Sequence, residues 1–298
     1  MNSDKPVNGT VADWLGYLTV KSFIFFSALL PKSFVYYFFR ILTLTFYYLS
    51  KRRRDITKDN LQQAFPSKSE QEIDTLSIEV FTELSKTIAE ILFMLSDRFD
   101  IDKAIMNQEL ALEKLSSIKK AHPQGWIIMT AHFSNWELAA HLLAKHGYPM
   151  LAVGRAGDNP LIDQKITIPF REKYGSRSVY KKNAAISIFK TLKRGDIVGV
   201  LIDQKVQESE GVKVKFFGRD VYTTSIVATM KDKLDIVVVP IFLARVENGK
   251  YNLIVGDPIE ERGDKTKMTQ AYNNAMEKII EKYPSQWFWM HNRWKMNR

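Results

Sequence analysis

Apolar and polar positions follow three different rhythms along this chain. From Trp14 to Ser50 aromatic side chains crowd out any clean period: Phe23, Phe25, Phe26, Phe34, Tyr36, Tyr37, Phe38, Phe39, Phe46, Tyr47 and Tyr48 all fall here, interrupted by Lys21, Pro31 and Arg40. A spanning helix needs about 20 mostly apolar residues, and a central Arg costs roughly 3 kcal/mol on insertion scales. The segment therefore predicts a hydrophobic membrane anchor, either one imperfect span or an interfacial helical hairpin. The competing reading is a pair of buried core helices. Lys51-Arg52-Arg53-Arg54 follows at once. Such a basic flank places the rest of the chain on the cytoplasmic side, unless it is only a solvated helix end.

The second rhythm is helical. Asn60 to Pro66 closes a short helix, and Glu70–Ser96 carries an apolar stripe through Ile73, Leu76, Val80, Phe81, Leu84, Ile88, Ile91 and Leu92, at the spacing of a packing helix. The third begins at Trp126, where strands and helices alternate. Strands are predicted at Trp126–Ala131, Pro149–Val153, Asp196–Ile202 and Val212–Phe217, and helices at Asn135–His146, Leu161–Tyr174, Asn183–Lys193, Thr223–Lys233 and Met268–Tyr283. Ile236–Val246 and Lys250–Val255 form a hairpin across Glu247-Asn248-Gly249, where Asn-Gly suits a tight turn. This alternation predicts an α/β fold: a mostly parallel central sheet flanked by helices, behind the N-terminal helical anchor. No internal repeat or low-complexity linker divides it.

Composition narrows the chemistry. The 298 residues are long enough for one large domain or two smaller ones, and carry a formal charge of +10 with no cysteine. The charge asks for an anionic partner. The missing thiols exclude disulfides, thiolate zinc sites and a cysteine nucleophile. No cleavable leader is expected, because Met1–Asp13 is polar and no small-residue cleavage site follows an apolar core. There is no Gly-x-Ser-x-Gly elbow, and neither a phosphate loop nor Gly-x-Gly-x-x-Gly, so neither a serine hydrolase nor a nucleotide cofactor is expected. The aromatics lie apart from the basic residues, which argues against nucleic acid.

The fullest set of reactive groups is Ala131-His132-Phe133-Ser134-Asn135-Trp136-Glu137, at the end of the first strand. Residues five apart on one helix point roughly 140° away from each other. His132 and Glu137 can therefore meet only if His132 precedes the helix and Glu137 lies in its first turn, with Ser134 or Asn135 as the cap. A carboxylate could then hold one imidazole nitrogen while the other takes a proton from an alcohol. Ser134-x-x-Glu137 is equally a capping box, and His132, Glu137 and His141 are a weaker candidate zinc trio. Catalytic groups gather at the carboxyl ends of parallel strands, which adds Asp203 and Gln204 after the strand at Asp196–Ile202. Arg155, in the loop after the second strand that Asn159-Pro160 closes, is a candidate for binding an anion or an oxyanion, or is a surface Arg in a turn. Arg171, Lys173, Arg177, Lys181 and Lys182 form a basic cluster that could bind phosphate or merely coat the surface.

Taken together these blocks resemble the bacterial lipid A biosynthesis acyltransferase family. The resemblance runs through Asn60-Leu61 with Ala64-Phe65-Pro66, His132-x4-Glu137, Arg155 with Asn159-Pro160, Arg171, Asp203-Gln204, Phe216-Phe217-Gly218 with Thr223, Val239-Pro240, and Pro284-x-Gln286-Trp287-x-Trp289-x-His291-x-Arg293-Trp294. It implies a membrane anchor over 1–54 and a cytoplasmic α/β acyltransferase domain over 55–298, on the cytoplasmic face of the inner membrane. It implies transfer of an acyl chain from acyl carrier protein to a hydroxyl of a lipid A precursor, beside an anionic membrane surface and without cofactor or metal. His132 and Glu137 would be catalytic, with Arg155, Asn159, Arg171, Asp203 and Gln204 holding substrate or oxyanion. The family's Gly-Asp-Gln-Asp is replaced by Ile202-Asp203-Gln204-Lys205, followed by an inserted-looking Val206–Glu210. The alternatives are a glycerol-phosphate or other glycolipid acyltransferase, whose usual Glu-Gly-Thr-Arg-like block is missing, and a non-catalytic lipid-binding protein.

Overall fold

Fully apolar runs such as Trp126-Ile127-Ile128-Met129 bury both faces of a strand, as a parallel sheet covered by helices on each side requires. The computed structural model, which describes residues 9–180 and 184–295, contains that sheet. Its strands are β1 (Trp126–Thr130), β2 (Met150–Gly154), β3 (Arg177–Tyr180), β4 (Ile197–Leu201), β7 (Val237–Arg245) and β8 (Tyr251–Val255), in the order β3-β2-β4-β1-β7-β8. All neighbours are parallel except β7 and β8, the expected hairpin.

One face of the sheet packs on α6 (Gln108–Ala121), α7 (Trp136–Lys145) and the helical stretch after β2. The other packs on α10 (Ala184–Lys193), α11 (Ile226–Lys233), α12 (Lys265–Lys282) and the first half of α4 (Glu70–Leu95). A one-turn helix, α5 (Ile101–Ala104), precedes α6; α5, α6 and β3 lie outside the predicted elements. Asn183, the expected start of α10, lies outside the described residues, as do Lys181 and Lys182 of the basic cluster.

Two predictions need correction. The helix expected at Leu161–Tyr174 is not regular. It runs as α8 (Pro160–Ile162), a π turn (Asp163–Thr167) and α9 (Ile168–Glu172). Pro169 is the cause: it has no N–H to donate, and its ring clashes with the carbonyl four residues back. The Ile168 N–H instead reaches back five residues, to the Asp163 carbonyl. The helix expected from Thr223 starts later, because β5 (Gly211–Phe216) turns at Phe217-Gly218 and returns as β6 (Arg219–Thr224). Thr223 is thus a strand residue, its hydroxyl donating to the Asn273 side chain.

The aromatic N-terminus folds as α1 (Val11–Leu29) and α2 (Lys32–Leu49), broken at Leu30-Pro31, with α3 (Lys51–Ala64) following. No helix among the described residues is long and apolar enough to cross a membrane. The core-helix reading is half met. Val35, Phe39, Thr43 and Tyr47 form a buried stripe every fourth residue of α2, packed in part on Phe93 and Leu92 of α4. The opposite side stays open, with Phe25, Phe26, Leu29, Phe34, Tyr37 and Tyr48 all more than half exposed. In the basic run, Arg53 and Arg54 donate to the backbone carbonyls of Met290, Tyr47 and Tyr48, and Lys51 pairs with Asp55.

Candidate active site

The register of the central strands creates the site. β1 pairs with β4 so that Thr130 lies opposite Leu201. Two residues further along each chain, His132 faces Asp203. Asp203 is 2 % exposed, and its carboxylate grips His132 twice: one oxygen lies 2.9 Å from Nδ1 and the other accepts the backbone N–H at 3.0 Å. The second oxygen also accepts the Trp287 indole N–H at 2.8 Å. A carboxylate beside Nδ1 keeps that nitrogen protonated and leaves Nε2 as the basic one. Nε2 turns toward the cavity, where the Gln204 amide lies 3.3 Å away.

The turn that carries His132 is tightly held. Ser134 has φ +51, a left-handed conformation uncommon for a residue with a side chain, and it persists because its neighbours dictate it. The Ser134 N–H donates to the Gln286 carbonyl at 2.6 Å, the Phe288 N–H donates to the His132 carbonyl at 3.0 Å, and Thr87 donates to the Ser134 carbonyl. Asn135 caps α7 through the Leu138 N–H. Its amide donates to Glu90, a buried carboxylate that also receives Arg245 and Tyr251. The alternative reading of Ser134-x-x-Glu137 as a capping box is therefore not met, Asn135 being the cap.

Glu137 does lie in the first turn of α7, but its carboxylate is engaged by Arg171, whose Nε donates at 3.0 Å. The orienting hydrogen bond expected from Glu137 to the imidazole is supplied by Asp203. Glu137 still acts through its charge. Burial alone would push the His132 imidazole down, but Asp203 and, after it, Glu137 outweigh burial and hold it above its ordinary value. Burial likewise works against the Asp203 carboxylate, yet His132, Trp287 and the backbone N–H keep it below the usual carboxylate range. His141 directs one ring nitrogen at the Glu137 carbonyl and the other at that of Phe170, both at 2.8 Å. It fastens α7 to α9 and does not converge with His132.

The remaining candidates separate. Arg171, Glu137, Gln204 and Arg155 line one cavity of about 800 Å³ together with His132. The Arg155 side chain is 80 % exposed and pairs with Asp158, so it stands at the rim. Asn159 is a strut: it caps α8 and donates to the Asp13 carbonyl of α1. Of the basic cluster, Lys173 pairs with Asp97 at the surface.

The sequence pattern did not mark Trp287 as part of the site. The available signal was the density of Trp, His and Arg at the C-terminus, since a buried indole N–H needs an acceptor. The same segment braces the loop after β4. His291 accepts the Lys205 N–H at 2.8 Å, and Arg293 donates to the Gln204 carbonyl at 3.1 Å. Buried among Phe216, Thr223 and these carbonyls, the Arg293 guanidinium is lowered to about 10 by desolvation, which Asp203 partly opposes. Asn60 closes the arrangement from α3 by donating to the carbonyls of Trp289 and His291.

A base on a buried carboxylate, an adjacent Glu–Arg pair and a deep apolar cavity suit acyl transfer to a hydroxyl. Comparison with known proteins agrees. Residues 5–296 match the model of the family described as bacterial lipid A biosynthesis acyltransferase. The chain is 28 % identical over 251 residues to the lipid A biosynthesis lauroyltransferase of Escherichia coli, covering 82 % of this chain and 80 % of the relative. It is 25 % identical over 244 residues to a lipid A biosynthesis acyltransferase of Haemophilus influenzae, covering 81 % and 75 %. To the palmitoleoyltransferase of E. coli it is 26 % identical over 251 residues, covering 82 % and 79 %. With the match running almost from end to end, the protein is an acyltransferase of the bacterial lipid A biosynthesis family.

Proposed function

We propose that this enzyme transfers a fatty acyl chain from acyl carrier protein to a hydroxyl on an acyl chain of a lipid A precursor, late in lipopolysaccharide assembly. The observation that carries the reading is the His132 imidazole, pinned at Nδ1 by buried Asp203 with Nε2 facing the cavity. Nε2 removes the acceptor's hydroxyl proton as that oxygen bonds to the thioester carbonyl carbon. The carbon–sulfur bond then breaks, and the imidazolium returns the proton to the leaving thiolate. Asp203 and Glu137 stabilise the transient imidazolium. Arg171, raised above its ordinary value by Glu137 despite burial, offers donors toward the oxyanion, and Arg155 at the rim suits a phosphate of the acceptor. With no cysteine in the chain, direct transfer between two bound substrates is the simplest course.

The working location we infer is the cytoplasmic face of the inner membrane. The aromatic sides of α1 and α2 leave Phe25, Phe26, Phe34, Tyr37 and Tyr48 exposed, as a surface that meets lipid would. The net charge of +10 suits both an anionic lipid surface and an acidic carrier. The test is an assay of the purified protein with acyl carrier protein thioesters and a lipid A precursor. Transfer to the precursor that vanishes in His132→Ala is expected; transfer only to water or to glycerol phosphate would refute the acceptor assignment.

A further inference from the structure

β2 and β4 pair only as far as Ala152 opposite Gly199. β2 stays paired with β3 to Gly154, and β4 with β1 to Leu201. The two central strands therefore part at their carboxyl ends, and the cavity beside His132 passes between them. Strand alternation shows on which side each lining residue falls. Ile128, Met150 and Gly199 belong to the α7 face, where Ala139, Ala140 and Leu143 complete a first arm. Val200, Ile202 and Val153 belong to the opposite face, where Ala184, Ile188 and Ile226 complete a second.

The arms differ. The first is a closed sleeve, with Ile128, Ala139, Leu143 and Met150 each below 10 % exposed. It follows α7 from Glu137 to Leu143, a rise of about 9 Å. Its inner end is set by Met150, whose Sδ would lie 2.5 Å from a Cβ added at Gly199. The second arm is open on its far side, where Ala185 is exposed and Thr224, Ser225 and Thr229 give a polar margin.

We propose that the cavity holds two hydrocarbon chains at once, one on each face of the sheet. The closed arm under α7 takes the acyl chain being transferred, and the open arm under α10 and α11 takes the acceptor's own chain. This rests on the reading of the site as an acyltransferase. His132 stands where the arms meet, so the hydroxyl on one chain is brought to the thioester of the other. The sleeve's inner end, set by Met150 over Gly199, limits the length of chain transferred.

The test pairs activity with binding. Across decanoyl, lauroyl, myristoyl and palmitoyl donors, Ala140→Phe is expected to shift preference toward shorter chains and Met150→Ala toward longer ones, both with an unchanged KM for the lipid A precursor. Ala185→Trp is expected to raise that KM about tenfold and leave the donor order alone. Binding of myristate, counted by native mass spectrometry, is expected to give two molecules per wild-type chain and one in Ala140→Phe or in Ala185→Trp. A single myristate in wild type, or a donor order untouched by both sleeve variants, would overturn the proposal. Two bound chains in a protein that transfers nothing would leave the arms standing and remove the acyltransfer reading instead.

Discussion

The end of β4 and the start of α7 each present a carboxylate to the same imidazole, by different means. Asp203 is almost wholly buried and bonds Nδ1 directly; Glu137 spends its hydrogen bonds on Arg171 and reaches His132 through its field alone. Contact fixes tautomer and aim, whereas charge at a distance only shifts a proton equilibrium. The motif His-x4-Glu names the second carboxylate and passes over the first, although the first does the orienting.

Substitutions should rank accordingly. His132→Ala removes the proposed base and is expected to lower kcat by at least roughly 10²–10⁴-fold, measured with carrier-bound lauroyl donor, while circular dichroism stays native. Asp203→Asn is expected to cost roughly 10²-fold in kcat, because the amide can hold the wrong tautomer. It should also move the acid limb of the kcat/KM profile to lower pH. The sign follows from the imidazole: its raised value means the base becomes available only at higher pH, and removing the carboxylate that raises it reverses this. Glu137→Gln should move the same limb in the same direction by less, with a loss nearer tenfold, because only a field is lost. If Glu137→Gln shifted the limb further than Asp203→Asn, the comparison would be inverted. Gln204→Ala should have the least effect, about twofold in kcat, since the acceptor hydroxyl must displace its amide from Nε2; a loss matching that of Asp203→Asn would make Gln204 part of the proton relay.

Much of this was legible in the chain. β1, β4 and β7 announce themselves as uninterrupted apolar runs because both faces are buried. β3, an edge strand with one exposed and three half-buried residues, carries no such signal. β6 hides because Arg219–Thr224 follows a turn and leads straight into a helix, so its few alternating positions merge with the helical pattern. His132 and Glu137 could be found because they are neighbours. The bond from His132 to Asp203 spans 71 positions and exists only through the register of β1 on β4. Asn159 shows the converse: a polar residue near Arg155 in the same loop is seen only in the structure to tie α8 to α1.

The π turn before Pro169 has a consequence of its own. Each residue of a helix turns the next by about 100°, so the added residue in that turn works like a shim in a threaded joint. It sets the azimuth at which everything beyond it emerges, Arg171 included. Were the thread to close up by one residue, the guanidinium would be swung round the helix away from Glu137. A proline little more than half a turn before an arginine thus acts as an alignment key for a salt bridge it never touches.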